Sequence, residues 1–76
     1  MTLTDDQIKI MQEDLYAQLV QMLMEEWAYS MEQALGILYN SDTFARISDK
    51  ETGLYYQSAG YVYSFLHNEL TQGVCA

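Results

Sequence analysis

The feature that most constrains this chain is an unbroken amphipathic stretch from Thr4 to Tyr29, TDDQIKIMQEDLYAQLVQMLMEEWAY. It contains neither Gly nor Pro, and most of its residues favour helix. Thr4 suits the N-cap position, and Gln7 completes a capping box with it. If the whole stretch is helical, it is about 39 Å long. The sequence therefore predicts one long helix against which the rest of the chain packs.

Apolar side chains lie on two opposite sides of this predicted helix. At about 100° per residue, a broad stripe covers roughly half the circumference, which exceeds what one core-facing side requires. A narrow seam recurs every seven residues on the far side. The broad stripe contains Ile8, Met11, Leu15, Tyr16, Leu19, Val20, Met22, Leu23 and Trp27, and the narrow seam contains Ile10, Ala17, Met24 and Met31.

The narrow seam has two interpretations. Single apolar residues are common on protein surfaces, but a contiguous apolar surface marks a dimer or partner interface. A chain of 76 residues buries only about 60% of its unfolded surface, and oligomerisation often adds the missing stability. We therefore predict a homodimer in which Ile10, Ala17 and Met24 contact the second copy and the broad stripe forms the monomer core.

Two shorter helices are predicted after the long one. Ser30 and Gln33 form a second capping box before a helix over Met31–Tyr39; the alternative is that Ser30 lies inside one continuous helix that runs to Tyr39. Ser41 is placed to cap a third helix over Asp42–Ser48. The predicted buried face of the second helix consists of Met31, Ala34, Leu35 and Leu38.

The remaining chain predicts a connector and one last helix. Residues 49–53 read as a polar loop, and residues 54–57 as an extended or turn segment with no second strand to pair with. Ser58 then caps a helix from Ala59 to about Gln72, and Gly73 stands where a helix C-terminus favours it. The fold class predicted for the whole chain is therefore a single all-α domain, with one long amphipathic N-terminal helix and three shorter helices packed against it.

The charge balance limits the classes of partner. The chain has 3 Lys and Arg against 11 Asp and Glu, a net charge of −8. Affinity for nucleic acids and for anionic membrane surfaces depends on cationic groups, so we predict direct binding to neither. A basic protein partner is compatible with this charge, and plain solubility is the alternative explanation for it.

Signals of targeting and covalent cross-linking are weak. No apolar run approaches the roughly 18 residues of a membrane span, and the start MTLTDDQ lacks the basic and apolar regions of a signal peptide. The single cysteine, Cys75, has no second cysteine to pair with. These features predict a cytoplasmic protein with an inert thiol.

Candidate chemistry is sparse. His67 is the only histidine, and no nucleophile or second ligand stands at a recognisable spacing, so a structural role is predicted for it. Glu25 and Glu26 are adjacent and point about 100° apart on a helix, which rules out a carboxylate pair. Glu26 either ends the buried stripe or reaches a tyrosine hydroxyl or Arg46. We predict no enzymatic activity, no cofactor and no metal site.

Tyrosines are numerous, with seven in the chain. Tyr55, Tyr56, Tyr61 and Tyr63 fall within nine residues. Aromatic residues with a polar group are enriched in interfaces, although a small core also uses large side chains. Tyr55 and Tyr56 are therefore added to the candidate interaction surface.

Residues 34–41, the segment ETGLYYQS at 51–58 and YVY at 61–63 together resemble a family of small uncharacterised bacterial proteins. The resemblance covers about residues 27–70, and Gly60 stands where other members tend to have a Pro-containing turn. Such proteins resemble small partners encoded in toxin–antitoxin-like or mobile cassettes. The resemblance implies a small interaction protein and carries over no catalytic residue.

Two functions from different classes follow. The first is a protein–protein interaction module, an acidic antitoxin-like or regulatory partner of another protein. The alternative is a small-ligand-binding or enzymatic domain with a composite site at a dimer interface. The two functions differ in the titratable groups they require, because an enzyme needs several that converge on one site. The sequence shows no such set, which favours the interaction module. A structural subunit of a larger complex is a third possibility.

Overall fold

A computed structural model describes residues 3–72, and every regular element in that range is helical. The predicted all-α fold, with a long N-terminal helix and three shorter ones, is confirmed. Gly73 and Cys75 lie outside the described residues. The four α-helices are α1 (Asp5–Trp27), α2 (Met31–Tyr39), α3 (Asp42–Ser48) and α4 (Ala59–Gln72), and two 3₁₀ helices, Lys50–Thr52 and Leu54–Tyr56, connect α3 to α4.

Helix α1 begins where its capping box predicts. The Thr4 hydroxyl accepts a hydrogen bond from the Gln7 backbone N–H at 3.2 Å, and the Gln7 side chain accepts one from the Thr4 N–H at 2.9 Å. The helix ends at Trp27, two residues before the predicted end at Tyr29. Ala28 adopts a left-handed conformation with φ of 58°, which turns the chain out of the helix.

Helices α2 and α3 occupy the predicted residues. Ser30 and Gln33 form the second capping box, with hydrogen bonds of 3.0 and 3.1 Å. The Ser41 hydroxyl accepts from the Phe44 N–H at 3.0 Å and caps α3. Local side-chain bonds therefore determine where these helices begin.

The connector between α3 and α4 is more regular than predicted. It forms two short 3₁₀ helices that meet at Gly53, whose φ of 70° suits glycine. The Thr52 N–H donates to the Asp49 carbonyl and the Gln57 N–H donates to the Leu54 carbonyl, both at 3.1 Å. Single 3₁₀ turns satisfy the backbone here but are too short to produce a sequence period.

The core lies where the broad stripe of α1 meets the other helices. Leu19 and Leu23 have no exposed surface, and Leu15 and Val20 are also buried. The outer members of the stripe, such as Met11, pack against this core at its margin. Residues from every other α-helix and from the second 3₁₀ helix complete the core: Ala34, Leu38, Ile47, Tyr55, Val62, Tyr63 and Leu66.

Two residues differ from their predicted environments. Met31, predicted both on the buried face of α2 and in the narrow seam, is 60% exposed, because it is the first residue of α2 and lies beyond the core; this exposure contradicts the buried face and is compatible with the seam. Tyr55, predicted on the interaction surface, is only 7% exposed. The second 3₁₀ helix packs against α1 and turns this ring into the core, so Tyr55 is removed from the candidate surface.

A carboxylate on α4 caps the start of α3. Glu69 accepts hydrogen bonds from the Asp42 N–H at 2.8 Å, the Thr43 N–H at 3.1 Å and the Thr43 hydroxyl at 2.9 Å. Negative charge is favourable at a helix N-terminus, and hydrogen bonds to charged groups are the stronger ones. Glu69 therefore holds α4 against α3 across 26 residues of sequence.

We expect Glu69→Gln to lower the free energy of unfolding by about 1–2 kcal/mol, because a neutral amide is a poorer acceptor than the carboxylate and loses the charge at the helix end. Urea denaturation measures the change. The matched control is Glu51→Gln at an exposed position in the first 3₁₀ helix, which is expected to unfold like the wild type. An equal effect of the two substitutions would contradict the capping role.

Candidate functional site

A groove of about 600 Å³ runs between α1 and α2. Three residues, 28–30, connect these helices, so α2 folds back along α1. The two helices are antiparallel. Met24 and Met31 therefore lie at one end of the groove, and Tyr16 and Tyr39 lie at the other. The apolar and aromatic lining consists of Tyr16, Ala17, Val20 and Met24 from α1 and Met31, Leu35 and Tyr39 from α2.

The groove collects half of the residues predicted for the interaction surface. Ala17, Met24 and Met31 all line it. Ile10 is 65% exposed and lies two turns before Ala17 on α1, outside the lining. Tyr56 is 58% exposed but borders a separate depression between α1 and the second 3₁₀ helix. The structure therefore unites three residues of the narrow seam and separates the tyrosine from them.

Tyr39 is a groove residue that the sequence analysis did not identify. It is 55% exposed, and its ring centroid lies 5.0 Å from that of Phe44, which lies 4.7 Å from that of Tyr16. These aromatic contacts hold the Tyr39 end of the groove in place. The four-residue spacing of Met31, Leu35 and Tyr39 along α2 is the sequence signal that could have identified it.

The charge of the groove is negative. Its lining includes one carboxylate, Glu13, and no lysine or arginine. Within the described range, Glu13 makes no hydrogen bond or ion pair. The cation Lys50 is engaged elsewhere, with its Nζ 3.0 Å from Asp5, and the Arg46 guanidinium lies 5.8 Å from the centre of the Phe65 ring.

A second cluster of polar side chains joins the end of α1 to α4. The Tyr63 hydroxyl donates to Glu26 Oε2 at 2.5 Å and accepts from Trp27 Nε1 at 3.2 Å. Glu26 Oε1 lies 3.0 Å from His67 Nδ1. Among the alternatives left open for Glu26, the structure selects the tyrosine hydroxyl and adds the histidine as a second partner.

The chemistry of this cluster is that of a structural link. Burial, and then the hydrogen bond to Glu26, raise the pKa of Tyr63 to about 12. A hydroxyl with this pKa keeps its proton near neutral pH and serves as a donor to the carboxylate. The shift of the Tyr63 pKa is upward, whereas a nucleophile is activated by a lowered pKa. Its geometry ties α4 to the last turn of α1.

Comparisons with known proteins add no assignment, since no family model, curated protein or solved structure matches the chain. The resemblance to small bacterial interaction proteins stays a prediction. Among residues 3–72, no helix is both long and apolar enough to cross a membrane. The same residues contain no group of three His, Cys, Asp or Glu side chains placed to hold a metal ion.

The raised pKa of Tyr63 predicts a loss of stability at high pH. Above pH 10 the unfolded hydroxyl loses its proton, whereas the folded one keeps it until about pH 12. The free energy of unfolding therefore falls as pH rises through this window. In urea denaturation series across that pH range, Tyr63→Phe should show a shallower fall than the wild type. The exposed-site control, Tyr39→Phe, should follow the wild-type slope, and identical slopes for all three proteins would refute the prediction.

Proposed function

We propose that this chain is a protein-interaction module and that the groove between α1 and α2 binds an α-helical segment of another protein. The observation that carries the proposal is an apolar groove whose rim residues, Met31 and Tyr39, are 60% and 55% exposed. Neither side chain belongs to the buried core or to the partly buried residues packed against it. The chain therefore keeps two large apolar groups exposed to water beside the groove.

The composition of the groove suits binding. Complete burial of an exposed methionine side chain is worth about 1.5–3 kcal/mol, and Met31, at 60% exposed, has most of its surface still to bury. Methionine is unbranched and adapts its shape to a partner. Tyrosine and methionine are also enriched in interfaces relative to the rest of a protein surface. The apolar side chains therefore supply affinity, and the flexible methionines let the groove fit partner helices whose side chains differ in shape.

The dimensions of the groove suit a helix. Its α2 wall extends over nine residues, from Met31 to Tyr39, and these two residues are eight steps and therefore about 12 Å apart along the helix. This length matches about two turns of a partner helix, which presents anchors at positions i, i+4 and i+7.

The alternative of a small-ligand or enzymatic site has less support. Sites for small molecules bury about 70–90% of the ligand surface, whereas this groove is open along the side formed by Met31 and Tyr39. Among the described residues that line it, Glu13 is the only titratable group other than tyrosine. Both features favour a macromolecular partner.

The proposal predicts the outcome of selection from a display library of 14-residue helical peptides. Peptides that bind should share apolar residues at i, i+4 and i+7, because those positions reach the groove together. The affinity of a selected peptide, measured by fluorescence anisotropy, should fall about tenfold or more with Met24→Gln, which corresponds to about 1.4 kcal/mol. Ala17→Gln places a larger, polar side chain in the same groove and should also lower the affinity. Because Ala17 is exposed, we expect this substitution to leave folding undisturbed.

The matched control for the peptide experiment is Tyr61→Gln. Tyr61 is 53% exposed and lies on α4, outside the groove, so this variant should bind as the wild type does. Selected peptides that bind the Met24 and Ala17 variants with unchanged affinity would overturn the proposal. A selection that returns no helical binder would do the same.

A further inference from the structure

We infer that the helical segment bound between α1 and α2 is basic, and that one of its cationic side chains pairs with Glu13. This inference rests on the proposed function and names the chemistry of the partner. It distinguishes the occupant of the groove from a second copy of this chain, which carries the same excess of negative charge. Three observations support it.

The first observation is the state of Glu13. Its exposed carboxylate borders the groove beside Tyr16 and Ala17, and within residues 3–72 it has no hydrogen-bond or ion-pair partner. Lys9 lies one turn earlier on α1 but forms no ion pair with it in this range. A Lys placed before a Glu is the weaker order for a pair four residues apart. Glu13 is therefore available to a cation from outside.

The second observation concerns the two ends of the groove. Glu13 lies one turn before Tyr16 on α1 and borders the end formed by Tyr16 and Tyr39. The last turns of α1 and α2 contain no basic residue. Glu25 and Glu32 directly follow the groove residues Met24 and Met31 in sequence. Both ends of the groove therefore favour cations.

The third observation is the whole-chain charge. The net charge is −8, so a second copy would bring two strongly negative surfaces together, and like charges oppose association. A basic helix instead gains from the same field, which also raises its rate of encounter. The apolar lining supplies the contact area, and the charge selects which amphipathic helix is bound.

The experiment uses three versions of one selected peptide that differ only in the residues flanking its apolar anchors. These residues are Lys, Gln or Glu. At low salt we expect the Lys version to bind about fivefold or more tightly than the Gln version, and the Glu version to bind most weakly. The differences should disappear at about 1 M salt, where the screening length is only about 3 Å. Isothermal titration calorimetry measures all three affinities.

Substitutions at Glu13 test its assigned role. Glu13→Gln should weaken the preference for the Lys version, and Glu13→Lys should weaken it further. The exposed control Glu51→Gln, which removes one negative charge outside the groove lining, should keep the wild-type order. Because Glu13 is exposed and makes no bond in the described range, both variants should match the wild type in far-UV circular dichroism and urea denaturation.

The outcomes separate the two proposals. If the Gln peptide binds and loses affinity with Met24→Gln, but all three flanks bind equally, the groove is a docking site and the inference of a basic partner is wrong. If none of the three peptides binds, the proposed function fails as well. Sedimentation equilibrium of the protein alone tests whether a second copy of the chain occupies the groove. If the wild type is a dimer and Met24→Gln makes it a monomer, the groove binds a second copy and the inference is overturned.

Discussion

The burial of one side of α1 is the constraint on which the rest of the structure depends. Leu19 and Leu23 on this side have no exposed surface, and every other α-helix contributes residues to the core around them. The long axis of the molecule is 39 Å, so α1 extends through most of it at about 1.5 Å per residue. Three short helices cover one side of such a rod, and the side bearing Ala17 and Met24 stays open beside α2.

The carboxylates of this acidic chain differ in whether they stabilise the fold. Glu69 caps α3 with three hydrogen bonds, and Glu26 accepts from Tyr63 and pairs with His67. Each of these two joins helices that are distant in sequence and so holds α4 in place. Glu13 has no such internal role among the described residues. The net charge therefore includes groups that stabilise the fold and a group that is free to meet a partner.

The docking proposal and the fold have the same physical origin. A small domain with a single core cannot bury all the apolar surface of a long helix, and the excess lies where α2 leaves a gap beside α1. An apolar groove with negative ends discriminates among amphipathic helices by charge, because contact area alone does not set specificity. An acidic regulatory partner of a basic protein is the role that fits both properties.

Helix starts were predictable because they depend on bonds between residues three apart. Thr4, Ser30 and Ser41 identify three of them without reference to the rest of the chain, and helical periodicity predicted the core side of α1. The choice between the two environments predicted for Met31, the burial of Tyr55 and the cap from Glu69 were not predictable. Each depends on how separate helices and turns are placed against one another, as between Glu69 and Thr43 across 26 residues. The sequence alone therefore determined the helices and the apolar seam on α1, while tertiary packing decided which seam residues form a groove, because α2 supplies its second wall.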